Sequence, residues 1–314
     1  MLEIQQLQVS YGGTPIVKDV SLCLAPGQIA GLVGESGCGK STFLRAVMML
    51  LDDTAHLDGG SILFEGKDLT TLSQKQLRSL RGHEVVMVFQ NAALASDPMK
   101  RVQHQFYETM SCHQSGVSKK DCYAHAESLL ETLHFPDPKR VMKSYPFELS
   151  GGMNQRVALA VAMVNHPKLI LADEPTSALD VTVQAQVVKR MRELRDQFGT
   201  AMLVVTHNMG VVAQLCDFVG VMYAGRIVEW GTVSEVLGSP RHPYTCALIR
   251  AIPDMSGAHP IGIPGAPPDF LCPEPGCDFA PRCSRARAEC RKEVPSRCGF
   301  SNTHWVLCPY AEGM

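Results

Sequence analysis

Two short stretches combine residue types and spacings suited to chemistry on phosphate groups. Residues 34–41 read "GESGCGKS" and fit the pattern G-x-x-x-x-G-K-[ST]. In that pattern glycines let backbone amides converge on phosphate oxygens, and the start of the following helix adds positive potential. Lys40 is placed to reach β- and γ-phosphates, and the Ser41 hydroxyl to ligate Mg²⁺. The second stretch, "LILADEPTSALD", sets Asp173 and Glu174 at the end of an apolar run. The first carboxylate suits Mg²⁺ coordination and the second suits polarising an attacking water. Neighbouring carboxylates are ordinarily a solvated loop pair, but the buried-strand pattern ahead of these two favours a functional one. Together the stretches point to a nucleoside triphosphatase.

The elements that must position these groups are legible. "GQIAGLVGESGCGKST" reads as a short apolar strand, a glycine-rich turn and a helix starting near Lys40. "EVVMVFQ", "KLILADEP" and "AMLVVTHN" are near-continuous apolar runs ending in polar residues. Strands buried on both faces of a mainly parallel sheet have this composition, and such sheets bind ligands at their carboxyl ends. "SKKDCYAHAESLLETL" opens with a capping-type Ser118…Asp121 pair and predicts a helix inside a helical insert over about residues 91–154. "VTVQAQVVKRMRELRDQFG" predicts an amphipathic helix with Val183, Val187, Met191 and Leu194 inward and Gly199 as its stop. After Ile252 a proline- and glycine-rich linker leads to a cysteine cluster.

Composition narrows the class. The 314 residues are 45% hydrophobic and 19% charged with net charge −2, which is ordinary globular usage. A near-neutral balance argues against nucleic acid as the main partner. The richest apolar run, "VALAVAMV", falls far short of the roughly 20 residues that span a bilayer. The N-terminal "MLEIQQLQVSYGG" has neither a basic nor an apolar signal region, so a cytosolic chain is expected. Twelve cysteines in that compartment are not expected to form disulfides. Of these, Cys23, Cys38, Cys112, Cys122, Cys216 and Cys246 are scattered and mostly read as small core residues. Cys38 sits at a helix start, a setting that lowers a thiol pKa, so it reads either as a reactive thiol of the phosphate loop or as a small residue tolerated at a variable position.

"LSGGMNQRV", residues 149–157, closely resembles the signature of ATP-binding cassette (ABC) proteins. Other pieces follow in that family's order: Tyr11 before the first glycine turn, Gln90 after an apolar strand, "SALD" ending at Asp180, and His207 after "LVVT". The resemblance implies an α/β P-loop NTPase cassette with a RecA-like core and antiparallel β and α-helical subdomains. It implies ATP contacts from Tyr11, Gly34, Ser36, Gly37, Gly39, Lys40, Ser41, Thr42, Ser150, Gly151, Gly152 and Asp180. Mg²⁺ would lie on Ser41, Gln90 and Asp173, with Glu174 as general base and His207 and Gln90 as catalytic partners. Two cassettes would sandwich two ATP molecules head to tail.

Finer matches resemble the dipeptide, oligopeptide and nickel uptake group: "YPFELSGGMNQRV", "ADEPTSALDVTVQAQV", "HPYTCALIRAIP" and "IPGAPPDF…GCDFAPRC". They imply a cassette over residues 1–240 and a family-type extension over 241–314. Implied partners are two membrane permease subunits, a second and different cassette chain, and an extracytoplasmic solute-binding protein, with this chain on the cytoplasmic face of the membrane. Nickel or metallophore complexes and glutathione-like solutes stand beside peptides as cargo. A soluble ABC ATPase of DNA repair or translation is the alternative class, against which stand the non-basic charge and the uptake-type tail. The chain departs from the group in "NAALASDP" after Gln90, in Asn154 and in Ser284.

The tail carries Cys272, Cys277, Cys283, Cys290, Cys298 and Cys308. Structural zinc sites favour pairs two to four residues apart, whereas these gaps lengthen from C-x₄-C to C-x₉-C. Four thiolates along a loop can also wrap a [4Fe–4S] core. Spacing does not choose among the six, and zinc stands as the alternative metal. The family resemblance implies Cys277, Cys283, Cys290 and Cys308 as ligands of an iron–sulfur cluster.

Overall fold

A computed structural model describes residues 1–90, 95–114, 116–177, 179–252, 262–273 and 275–311. The linker expected after Ile252 falls largely outside them. The chain divides into two units. The first comprises Met1, Leu24–Ile29 and Asp68–Thr206, the second Leu2–Cys23, Ala30–Lys67 and His207–Met314.

In the first unit the apolar runs become parallel strands at Val85–Val88, Leu169–Asp173 and Ala201–Val205, the middle one paired on both sides. Every residue of the latter two is buried, which explains runs without polar alternation. Register sets Leu169 against Ala201 and ends with Asp173 against Val205, so the acidic pair begins where the pairing stops. Helices at Val102–Ser111, Lys119–Thr132, Pro138–Lys143 and Gly151–Met163 pack on one another, the last running past residue 154. Ser118 caps the second of these, its Oγ accepting from the Asp121 amide at 3.1 Å. Helix Val181–Phe198 buries Val187, Met191 and Leu194 as expected, adds Val188, and leaves Val183 only half-buried. Gly199 ends it in the left-handed conformation, φ 66°.

In the second unit strand Ile29–Val33 runs parallel to Phe218–Tyr223, which pairs antiparallel with Arg226–Thr232. A separate antiparallel sheet joins Thr14–Leu24, Leu2–Tyr11 and Ala55–Phe64 in that order. The cysteine-bearing tail is part of the fold: Trp305–Val306 adds to Arg226–Thr232, and Cys298–Gly299 adds to Trp305–Val306. Phe279 of the tail is 3% exposed and sits edge-on to Tyr223, with ring centroids 5.2 Å apart. Among the described residues no helix is long and apolar enough to cross a membrane.

A buried carboxylate clasps this unit. Glu229 is fully buried on strand Arg226–Thr232 and accepts from the Arg241 and His242 amides, each at 2.8 Å. His304 Nε2 of the tail lies 2.8 Å from its Oε1. A buried acceptor with this many partners is costly to lose, since each donor is then stranded. Glu229→Leu is expected to cost about 2–5 kcal/mol, read as a fall of roughly 5–15 °C in the thermal midpoint.

Nearby, Glu235 is partly desolvated, which pushes its carboxyl up. Hydrogen bonds from Ser301, Thr232 and Thr303 outweigh this and hold it down at about 2. A depressed carboxyl stabilises the fold above its unfolded-state pKa, here near 4.5, and the contribution fades as pH falls toward about 2. Denaturant melts between those limits are expected to show a flatter acid limb in Glu235→Gln than in the wild type.

Candidate nucleotide site

The phosphate loop connects strand Ile29–Val33 to helix Lys40–Val47, in the second unit. Two glycines are required by its path. A Cβ at Gly34 would lie 2.1 Å from the Met222 carbonyl oxygen. Gly39, at φ 103°, would bring one to 2.9 Å from the Ile16 carbonyl oxygen. Gly39 is also the N-cap, so no side chain of that residue covers the first-turn amides. A helix start bared in this way fits an anion. Lys40 is 8% exposed and folds back over the loop, its Nζ donating to the Gly34 and Glu35 carbonyls at 2.8 Å each. Ser41 and Thr42 occupy the first helical turn, half-buried, and Tyr11 ends strand Leu2–Tyr11.

Cys38 follows the small-residue reading rather than the reactive one. It is 5% exposed, and burial pushes its thiol up by more than the Lys40 charge and hydrogen bonds pull it down. The rule for helix starts applies to accessible thiols, and here desolvation wins. The other scattered cysteines divide: Cys122 is buried, Cys216 and Cys246 are half-buried, and Cys23 and Cys112 are exposed.

In the first unit Asp173 and Glu174 are both nearly buried, at 5% and 8% exposure. Glu174 leaves the strand with φ 51°, a conformation costly for a side chain of this size. Its amide donates to the Val205 carbonyl at 2.8 Å, and its carbonyl accepts from Gln155 Nε2 at 3.0 Å. The Thr206 hydroxyl donates to its Oε2 at 3.4 Å. Gln155 therefore aims the acidic residue, a role that "LSGGMNQRV" gave no reason to assign to it. Asn154 is buried and donates to the Pro146 and Leu149 carbonyls, fixing the turn ahead of the signature helix.

Ser150 caps helix Gly151–Met163 through its Oγ, which accepts from the Met153 amide at 3.3 Å, and Ser150 and Gly151 are exposed. Gly152 has no room for a larger residue without moving Leu179, 3.0 Å from the position of a Cβ. Asp180 caps helix Val181–Phe198, accepting from the Val183 amide at 2.9 Å. Gln90 follows strand Val85–Val88 and is exposed. His207 in the second unit is exposed and precedes Asn208, the N-cap of helix Met209–Leu215.

The tail cysteines sort into two groups. Cys277, Cys283, Cys290 and Cys308 line one small cavity together with His242, Phe279 and Tyr310. Cys272 and Cys298 are not among its lining residues. The Cys277 amide donates to the Cys290 carbonyl at 2.7 Å, and burial pushes the Cys277 thiol up to about 11. Among the described residues, however, no three His, Cys, Asp or Glu side chains converge closely enough to hold a metal ion. The donor set itself, four soft sulfurs in an apolar enclosure, is chemically suited to iron–sulfur or zinc.

Parallel strands and this phosphate loop define a P-loop nucleoside triphosphatase. Residues 17–177 match the ABC transporter model, and residues 228–290 match the oligopeptide/dipeptide transporter C-terminal region. The dipeptide transport ATP-binding protein DppD of Bacillus subtilis is 41% identical over 98% of this chain and 94% of its own. The oligopeptide transport ATP-binding protein OppD of Salmonella typhimurium is 41% identical over 94% and 89%. A dimeric structure of MJ0796, a bacterial ABC transporter cassette, shares the fold at TM-score 0.68 and 24% identity, covering 74% of this chain and 99% of that one. The chain belongs to the ABC transporter family, within its group of dipeptide and oligopeptide transport ATP-binding subunits.

Proposed function

We propose that this chain hydrolyses ATP to drive uptake of dipeptides or oligopeptides through separate permease subunits at the cytoplasmic face of a membrane. The similarity to peptide-transport ATP-binding proteins over nearly the whole chain is the observation that carries this reading. A second, different cassette and an extracytoplasmic solute-binding protein complete the assembly. Peptide is favoured over nickel, metallophore or glutathione-like cargo by the names those relatives carry.

Within the site, Lys40 and the amides of residues 34–42 hold the β- and γ-phosphates, and Tyr11 stacks on the adenine. Ser41, Gln90 and Asp173 hold Mg²⁺, which when bound neutralises phosphate charge. Glu174 takes a proton from the attacking water, His207 steadies the γ-phosphate, and Gln90 relays the state of the site to the permease. Ser150, Gly151 and Gly152 present the signature to a nucleotide on the partner cassette, with Asp180 at the same seam. Exposure of Ser150 and Gly151 supports that role.

Cys277, Cys283, Cys290 and Cys308 hold a [4Fe–4S] cluster that pins the tail, with zinc as the alternative metal. Their shared cavity supports this grouping. Anaerobically purified protein is expected to contain about four irons per chain. Stoichiometric zinc without iron would select the other metal, and neither metal would remove the cluster from the proposal. The transport reading is tested in proteoliposomes holding the permeases and both cassettes. ATP-dependent accumulation of labelled peptide supports it, and accumulation of nickel alone contradicts it.

A further inference from the structure

A carboxylate inside a loop built for a polyanion calls for explanation. Glu35 follows the first glycine of the phosphate loop and is held at three points. Its carbonyl accepts from Lys40 Nζ at 2.8 Å. Its amide donates to the hydroxyl of Tyr244, a fully buried residue of helix Pro243–Arg250, at 2.9 Å. Its carboxylate takes both arms of the Arg282 guanidinium, at 2.6 and 3.0 Å. Arg282 lies 247 residues further along the chain, on the short turn Ala280–Arg282 between Cys277 and Cys283.

The guanidinium is itself fixed. Its side chain is 5% exposed, against 24% for Glu35. Its Nε donates to the Pro264 carbonyl at 2.8 Å, and its charge sits 5.9 Å from the Tyr223 ring centroid. Phe279, packed against Tyr223 and Tyr244, anchors the turn in the core. A bidentate pair of this kind fixes direction as well as charge. It draws the Glu35 side chain toward the tail and cancels a negative charge that would oppose nucleotide phosphates.

We propose that Arg282 is a positioning residue for ATP binding, the C-terminal extension supplying it in cis to neutralise and immobilise Glu35 of the phosphate loop. Without Arg282, the carboxylate's charge is uncompensated and its side chain is free to swing beside the phosphates. Without both, the repulsion disappears. A residue serving stability alone gives no such rescue.

The test measures equilibrium binding of Mg·ATP and of adenosine to the full-length chain, with thermal midpoints recorded for each variant. Arg282→Gln is expected to weaken Mg·ATP binding about tenfold, or about 1.4 kcal/mol, and to leave adenosine binding unchanged. The pair Glu35→Gln/Arg282→Gln is expected to return to within about twofold of wild type. Unchanged Mg·ATP affinity in Arg282→Gln overturns the proposal, as does a double variant as weak as the single one. Should Arg282→Gln not fold, Arg282→Lys keeps the charge but loses the fork. Selective weakening of Mg·ATP by roughly two- to fivefold then supports the proposal, and wild-type affinity overturns it.

Discussion

Glu174→Gln is expected to bind ATP at least as well as the wild type and to hydrolyse it about 10²- to 10⁴-fold more slowly, the usual range for loss of a general base. The substitution is close to isosteric, and Thr206 can still donate to the amide oxygen. The backbone constraints from Val205 and Gln155 involve main-chain atoms of residue 174 and survive. Only the proton acceptor is lost. Removing a negative charge near phosphates does not weaken their binding, so affinity and turnover must separate. Single-turnover hydrolysis measured beside nucleotide binding makes that separation visible, and parallel loss of both would remove Glu174 from the chemistry.

Lys40→Ala is expected to weaken ATP binding by roughly 10²- to 10⁴-fold, as two charge-assisted hydrogen bonds of about 1.5–3 kcal/mol each are lost. The ammonium already spans the loop between the Gly34 and Glu35 carbonyls, so a phosphate entering the loop meets a positioned donor. Alanine keeps the helix, having the best propensity for it. The fold is therefore expected to survive while Mg·ATP binding fails, which calorimetric titration of the folded variant checks.

The parts readable from sequence were those in which neighbouring residues cooperate. The strand, turn and helix around residues 29–47 follow from an apolar run, glycines and a helix start. The Ser118 cap and the Gly199 stop are likewise local, and both hold in the structure. What sequence did not disclose are contacts between distant positions. Arg282 meets Glu35, His304 meets Glu229, and Gln155 meets the Glu174 carbonyl across separations that no periodicity records. The two readings of Cys38 could not be separated for a related reason: reactivity depends on solvent access, which local spacing does not report. Family resemblance grouped four of six tail cysteines; the four line one cavity, yet among the described residues no three metal-ligating side chains converge closely enough to hold an ion.

The tail thereby changes standing. Its strand extends the sheet, Phe279 fills the core beside Tyr223 and Tyr244, and Arg282 reaches the phosphate loop. An extension tied into the fold this way is expected to act on nucleotide binding as well as on assembly.

The most direct test of the account is the ATP hydrolysis rate of the complete complex in lipid, with its permeases, both cassettes and solute-binding protein. The rate is expected to rise when peptide-loaded binding protein is added and to collapse in Glu174→Gln. A rate indifferent to peptide and binding protein, but raised by nucleic acid, would contradict it.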